Sequence, residues 1–367
     1  MIDIQESELV TETSVFDKLS EKGHEQVVFC HDEATGLKAI IAIHNTVLGP
    51  ALGGTRMWNY STEQEAIIDV LRLSRGMTFK AAISGLNIGG GKAVIIGDAT
   101  KLKSEAFMRR FGKFVDSLGG RYITTEDVNM KTLDMEYIHM ETNYVTGLPK
   151  NMGGGGDPSP VTAYGSYLGM KAMAKKVYGS ESLNNKVIAV QGVGQVGMNL
   201  VEHLHKEGAK IFVTDISEEK LNNVAGKFGA TVVSEDKIYD LDMDIYSPCA
   251  LGATLNDDSI PRLKCNIVAG AANNQLADEK RHGYMLIERG IAYAPDFVIN
   301  AGGLINVYNE YLGEYNRNRA YAHAEKIYDS ILNIAYESEE HEISPQETAI
   351  NLAKKRIEAI GKVKMSY

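Results

Sequence analysis

Cysteine is scarce in this chain. Its 367 residues include three, Cys30, Cys249 and Cys265, far apart and without a C-x-x-C pair. That odd, scattered set suggests neither a disulfide framework nor a zinc knuckle. Excess positive charge is also missing, since 38 Lys and Arg against 48 Asp and Glu leave a formal net charge of −10. Such a balance lacks the broad basic footprint that phosphate backbones or anionic lipids attract, so neither nucleic acid nor membrane is an expected partner. No stretch approaches the roughly 18 uninterrupted apolar residues of a membrane span. The start, Met1-Ile2-Asp3-Ile4-Gln5-Glu6, is acidic and carries no signal-peptide pattern, so a cytoplasmic location is expected. Nine histidines form no H-E-x-x-H or similar spacing, and no catalytic metal is expected. His203 and His205, two apart on a helix, point in different directions. There is no low-complexity tract or repeat of 20–50 residues.

What is present suggests an α/β protein of two domains around a cleft. The main composition break is Gly153-Gly154-Gly155-Gly156-Asp157-Pro158-Ser159-Pro160, a flexible, helix-ending run that reads as a hinge or a long surface loop. Before it, residues 37–43 read as a buried strand. Thr62 and Glu65 form a candidate capping box, followed by a helix that Gly76 is expected to stop. Residues 93–96 read as a strand, and Phe107, Phe111, Phe114, Val115 and Leu118 as one face of a helix. Beyond the break, β-branched runs at 187–190, 211–214, 231–233, 244–246, 266–269 and 297–299 alternate with helical periods. This alternation predicts a parallel, doubly wound sheet. From about Asn318 the chain turns polar and helical. The expected division is a substrate-binding and oligomerisation domain of residues 1–146 plus about 343–367, and a Rossmann-type dinucleotide-binding domain of residues 147–342.

Gly192-Val193-Gly194-Gln195-Val196-Gly197 fits G-x-G-x-x-G, follows an apolar strand and opens a helix. Its glycines permit a tight turn, close approach of a pyrophosphate and close helix–strand packing, and the helix N-terminus offers free N–H groups to the phosphates. Asp215 ends the next strand, where a carboxylate accepts from ribose hydroxyls and repels a 2′-phosphate. NAD is therefore expected over NADP.

Two lysines sit in unusual company: Lys80 closes Gly76-Met77-Thr78-Phe79-Lys80, and Lys92 closes Gly89-Gly90-Gly91-Lys92 directly before the strand at 93–96. A lone lysine is by default a surface residue. After three glycines, close approach of substrate and partial desolvation suit a lysine for acid–base work. The run is not a Walker loop, because its spacing fails. Glu126 and Asp127 read equally as solvated loop acids or as a source of proton transfer. An NAD enzyme acting on an anionic substrate needs a cation and a proton-transfer pair, which Lys80, Lys92 and Asp127 would supply. Their spacing alone does not prove that they converge. Cys249, beside the dinucleotide segment, and Tyr308 and Tyr311 are expected to be packing residues, and Glu337, Glu339 and Glu340 a solvated face.

Four segments together carry a resemblance that spans most of the chain: Gly49-Pro50-Ala51-Leu52-Gly53-Gly54, Gly89-Gly90-Gly91-Lys92, Gly270-Ala271-Ala272-Asn273-Asn274-Gln275, and Tyr293-Ala294-Pro295-Asp296 with Asn300-Ala301-Gly302-Gly303. They resemble the amino-acid dehydrogenase family that includes the glutamate, leucine, phenylalanine and valine enzymes, and its leucine-acting members in particular. The resemblance implies reversible, NAD-dependent oxidative deamination of L-leucine and other branched-chain aliphatic L-amino acids to 2-oxo acids and ammonium. Activity on phenylalanine or valine is the alternative, and a non-catalytic NAD-binding regulator a remote one. It also implies a homo-oligomer, an octamer in the family, with the final helix returning to the first domain.

By the same resemblance, Lys80 binds the substrate carboxylate, Lys92 activates water at the imine carbon, and Asp127 shuttles protons at the amino nitrogen. Gly53 and Gly54 line the site with backbone, and Asn300 and Thr162 lie near substrate and nicotinamide. Leu52 and Val307 stand where glutamate-specific members carry a lysine and a serine, so an apolar substrate side chain is implied. Met77, Thr125, Thr146 and Leu304 complete the pocket. Thr125 and Leu304 are bulkier than usual, which leaves leucine, isoleucine and valine all open. The implied cofactor set is Gly192, Gly194, Gln195, Val196, Gly197, Asp215, Thr162, Ala250 and Asn273. Asn129-Met130, after Asp127, replaces the family's usual small residues.

Overall fold

The computed structural model describes residues 14–364; the acidic start, residues 1–6, lies outside the described residues. The chain packs as two units. The first holds residues up to Thr78 together with Gly89–Tyr144, and the second holds Phe79–Ile88 and the chain from Val145 onward.

The first unit contains α1 (Val15–Lys22), β1 (Gln26–Asp32), β2 (Leu37–Asn45), β3 (Ala51–Trp58), most of α2 (Glu63–Ile83), β4 (Gly89–Ile96), α3 (Glu105–Asp116), β5 (Tyr122–Glu126) and α4 (Thr132–His139). Its sheet runs β1-β2-β4-β3-β5. β4 and β5 flank β3 in parallel, while the β1–β2 and β2–β4 pairs are antiparallel. Ile40, Ala42, Ala66, Val70, Leu71 and Val94 form a core between sheet and α2. Thr62 caps α2 by accepting from the Glu65 N–H (3.1 Å), whereas the Glu65 carboxylate accepts from Ser61 rather than from Thr62.

Two expectations need correction here. The strand expected at 93–96 begins at Gly89, so Lys92 stands inside β4 and is buried. Gly76 does not stop α2, which continues to Ile83 and ends before Gly85 (φ 72°), where the Leu86 N–H donates back to the Ala81 carbonyl. A helix glycine costs about 1 kcal/mol; the burial of Val70, Leu71, Ala81 and Ala82 along α2 outweighs it.

The second unit contains α5 (Ser159–Tyr178), β6 (Val187–Gln191), α6 (Gln195–Lys206), β7 (Lys210–Thr214), α7 (Glu218–Phe228), β8 (Thr231–Val232), β9 (Ile245–Pro248), β10 (Ile267–Val268), α8 (Glu279–Glu288), β11 (Ala292–Tyr293), α9 (Asp296–Ile299), α10 (Gly302–Tyr311), α11 (Arg317–His341) and α12 (Pro345–Lys364). Its six strands, in the order β11-β10-β9-β6-β7-β8, are all parallel. This is the doubly wound order, with a topological switch between β6 and β9 where such sheets bind dinucleotides.

Residues 297–299, expected as a strand, are helical. Pro295 precedes them, the buried Asp296 carboxylate accepts from the Phe297 and Gln275 N–H groups (2.6 and 3.0 Å), and the Asn300 N–H donates to the Asp296 carbonyl. These local bonds override the β-branched composition. The glycine run also lies within the second unit. Glu310 accepts from the N–H groups of Leu148 and Gly155 (3.1 and 2.9 Å), and Gly154 packs on the Leu148 carbonyl. The units divide between Tyr144 and Val145, ahead of this run.

Residues 79–88 and α12, both assigned by sequence to the first domain, group with the second unit by packing. Arg356 on α12 ties them together, donating to the carbonyls of Ala82 and Leu86 and to Asn87 Oδ1 (3.0, 2.8 and 2.9 Å). Among the described residues, no helix is long and apolar enough to cross a membrane.

Candidate active site

In the first unit, β3, β4 and β5 lie side by side, and the chemistry gathers on them. Lys92 from β4 places Nζ 2.8 Å from Asp127 Oδ2, just past the end of β5. The lysine side chain is 7% exposed and the aspartate 25%, so the pair is sheltered with an open edge. Oδ2 also accepts from Arg56 Nε at 3.0 Å. Both cations therefore bear on one oxygen, and no described residue bonds Oδ1. Burial works to raise the Asp127 pKa, but the charges and hydrogen bonds of Lys92 and Arg56 outweigh it and hold the carboxyl below the ordinary aspartate range. Glu126, the neighbouring candidate acid, is exposed.

The glycines make this approach possible. A Cβ on Gly54 would lie 2.8 Å from Asp127 Cβ, and one on Gly53 would overlap the Gly91 carbonyl. Leu52 is fully buried, Met77 lies against Gly53, and Thr125 is the buried register partner of Gly54. Asn129 and Met130 now have a physical account. Asn129 adopts a left-handed conformation (φ 60°), which asparagine tolerates. Its amide donates to the Met57 carbonyl (3.0 Å), Met57 donates to the Val128 carbonyl (3.1 Å), and Met130 is buried. The loop carrying Asp127 is thus stitched to β3.

In the second unit, Lys80 Nζ donates to Asn300 Oδ1 at 2.6 Å, and Asn300 Nδ2 donates to Asn273 Oδ1 at 2.7 Å. The three residues form one polar chain. Burial pushes the nearby Asp296 carboxyl above the ordinary aspartate range, against the opposing charge of Lys80. Thr146 is buried, as is Leu304 on α10, where Val307 is partly buried. Thr162 on α5 donates to the Pro158 carbonyl (3.0 Å) and lies beside Gly303.

The dinucleotide turn links β6 to α6. Gly192 sits at φ 99°, and a Cβ there would come within 2.6 Å of Ala250 Cβ; one on Gly197 would overlap the Gly192 carbonyl. Gly194, by contrast, faces open space at the start of α6, ahead of Gln195 and Val196. Asp215 accepts from the Val193 and Ser217 N–H groups (2.8 and 2.9 Å), one on each oxygen, which fixes the carboxylate beside the turn. An open backbone N-terminus next to an anchored carboxylate suits a dinucleotide diphosphate and its ribose.

Sequence reasoning passed over Arg56, its partner Asp69, and Tyr60, whose hydroxyl donates to Asp69. The Gly-Gly-Thr-Arg order was visible; the long-range contacts that give the arginine its place were not. His203 stacks on Tyr167 (5.1 Å between ring centres). Burial pushes the Cys249 thiol above its ordinary range, as for a packing residue. Among the described residues, no group of three or more His, Cys, Asp or Glu could hold a metal.

Two family models match. One, described as the Glu/Leu/Phe/Val dehydrogenase dimerisation domain, covers residues 24–144; the other, Glutamate/Leucine/Phenylalanine/Valine dehydrogenase, covers residues 153–217 and 213–363. The chain is 56% identical to the leucine dehydrogenase of Thermoactinomyces intermedius and 54% identical to that of Bacillus subtilis (strain 168), in each case over 96% of both chains. The crystal structure of L-tryptophan dehydrogenase from Nostoc punctiforme superposes with a TM-score of 0.85 at 47% identity, covering 95% of this chain and 99% of that one. With two matched models spanning both units and relatives this similar along nearly its whole length, the chain belongs to the glutamate/leucine/phenylalanine/valine family of amino-acid dehydrogenases.

Proposed function

We propose that the protein catalyses the reversible, NAD-dependent oxidative deamination of L-leucine and other branched-chain aliphatic L-amino acids, yielding 2-oxo acids and ammonium. The observation that carries this reading is the sheltered Lys92–Asp127 pair. Deamination needs a base at the amino nitrogen and an acid–base group for the water that attacks the imine carbon. Asp127, held ionised, takes the proton as the imine forms. Lys92 orients and activates the water and returns a proton to the departing nitrogen, so that ammonium leaves. Lys80 supplies the cation for the substrate α-carboxylate. When bound, a nicotinamide dinucleotide supplies the hydride acceptor for the Cα–H bond, and the Gly192–Gly197 turn, Asp215 and Asn273 are the residues that would hold it. Asp215 disfavours a 2′-phosphate, which supports NAD over NADP.

Leu52 and Val307 favour an aliphatic side chain, because a second substrate carboxylate beside them would be buried without a partner. The leucine-named relatives, at 54 and 56% identity against 47% for the tryptophan enzyme, support the same choice. A homo-oligomer fits the description of the first family model as a dimerisation domain.

Initial rates with aliphatic and aromatic L-amino acids, each with NAD⁺ and NADP⁺, test substrate and cofactor together. We expect L-leucine, L-isoleucine and L-valine with NAD⁺ to lead; a lead by L-phenylalanine would overturn the aliphatic reading. Lys92→Ala and Asp127→Asn are each expected to lower kcat by about 10²–10⁴-fold, and near-normal turnover in either removes its assigned role.

A further inference from the structure

We propose that Arg56 is a positioning residue for Asp127: braced by Asp69, its guanidinium pins Oδ2 and leaves Oδ1 to exchange the proton of the substrate amine. The inference rests on the acid–base reading of Asp127 given above.

Arg56 is held at both ends. Its Nε donates to Asp127 Oδ2 and its Nη1 to Asp69 Oδ2, each at 3.0 Å. Asp69, on α2, is itself fixed, since Oδ2 also accepts from the Tyr60 hydroxyl (2.7 Å) and Oδ1 from Arg72 (3.1 Å). Burial and the adjacent Asp69 push the Tyr60 hydroxyl well above its ordinary range, so it stays protonated and donating. The Arg56 and Asp69 side chains are 22% and 16% exposed, sheltered enough for their charges to act strongly on one another.

Two consequences follow for Asp127. A lysine ammonium is a point charge on a flexible stem and does not by itself set the carboxylate plane; the rigid guanidinium fork, tethered to a second carboxylate, does. Two cations on one oxygen also keep the group ionised and make the other oxygen the one available to substrate. A purely structural brace would contribute stability alone. A positioning residue must also set the acid limb of the reaction, because removing a cation beside a carboxylate raises its pKa and the base is then lost at higher pH.

The test is the pH profile of kcat/KM for L-leucine deamination in the wild type, Arg56→Gln, Arg56→Lys and Asp69→Asn, with the melting temperature of each and Asp127→Asn as reference. In Arg56→Gln the acid limb is expected to move up by about one pH unit, with kcat lowered about 10–100-fold. Arg56→Lys should restore most of the limb position but not kcat. Asp69→Asn, which keeps the Arg56 charge but loosens its tether, should lower kcat with a smaller shift. If Arg56→Gln does not fold, the other two variants decide by the same readouts. An unmoved acid limb with only a lowered melting temperature overturns the inference and leaves Arg56 a structural brace. Near-normal turnover in Asp127→Asn would instead overturn the reading of Asp127, and this inference with it.

Discussion

Glycines in this chain do opposite things depending on what their missing Cβ would meet. At Gly53 it would overlap the Gly91 carbonyl, which is backbone in the neighbouring strand and can yield only if the sheet shifts. At Gly76, inside α2, it would meet nothing within 4 Å. Gly53→Ala is therefore expected to destabilise by about 3 kcal/mol or more, and Gly76→Ala to stabilise by up to about 1 kcal/mol. Urea unfolding midpoints check both, and changes of the same sign would refute the packing account. This residue scale is also where the sequence was most and least legible. The glycine pairs, Lys92 and Asp127 stood out because such residue types in such company are rare. Arg56 did not, because its role depends on Asp69 and Asp127, which lie 13 and 71 residues away. Asn129 became intelligible only once its φ was known.

Between elements, the buried His44 on β2 and the half-buried His24, which bonds Leu71 and Ser74 on α2, link β2 to α2. His44 shares hydrogen bonds with Thr78 Oγ1 (2.8 Å, through Nδ1) and the Lys22 carbonyl (3.0 Å, through Nε2), and its ring meets that of His24 edge-on at 4.7 Å. Burial, then the charges of His24 and Arg75, push its pKa down to about 4, against a contribution from the Lys22 carbonyl. A histidine whose folded pKa lies below its unfolded value favours the folded state fully above about pH 6.5, and that contribution is lost as pH falls through 6.5 toward 4. His44 alone should thus remove about 2 kcal/mol of stability between pH 7 and 4.5. Urea titrations across that range should show a shallower slope for His44→Asn than for the wild type. Parallel slopes would mean that His44 is not the titrating group. The elements themselves were largely legible, since period and β-branching marked the Rossmann strands and the long helices. Failures came where local composition pointed one way and packing the other. The glycines of β4 read as lying ahead of the strand, yet strand pairing on both sides holds them extended. Residues 297–299 read as a strand, yet the Asp296 carboxylate draws them into a turn of helix.

At the scale of the whole chain, the two-part α/β organisation could be read from the change of pattern near residue 150, but its membership could not. Residues 79–88 sit between segments of the first unit in sequence and pack with the second, and hydrophobic periodicity carries no record of such an excursion. Arg356 is the clearest agent of it: one guanidinium supplies three hydrogen bonds to the last turn of α2 and the turn after it. Hydrogen bonds from a charged donor contribute about 1.5–3 kcal/mol each before competing terms, so losing all three should loosen both partners locally. In Arg356→Ala, amide hydrogen exchange in α12 and at residues 84–88 should accelerate at least about tenfold, while the amides of β6, β7 and β9 keep their protection. Unchanged exchange in α12 would show that burial of Ala349 and Ala353 alone secures the helix. Faster exchange throughout the second unit would show that the arginine supports the entire fold rather than the junction between its last helix and the segment inserted from the first half of the chain.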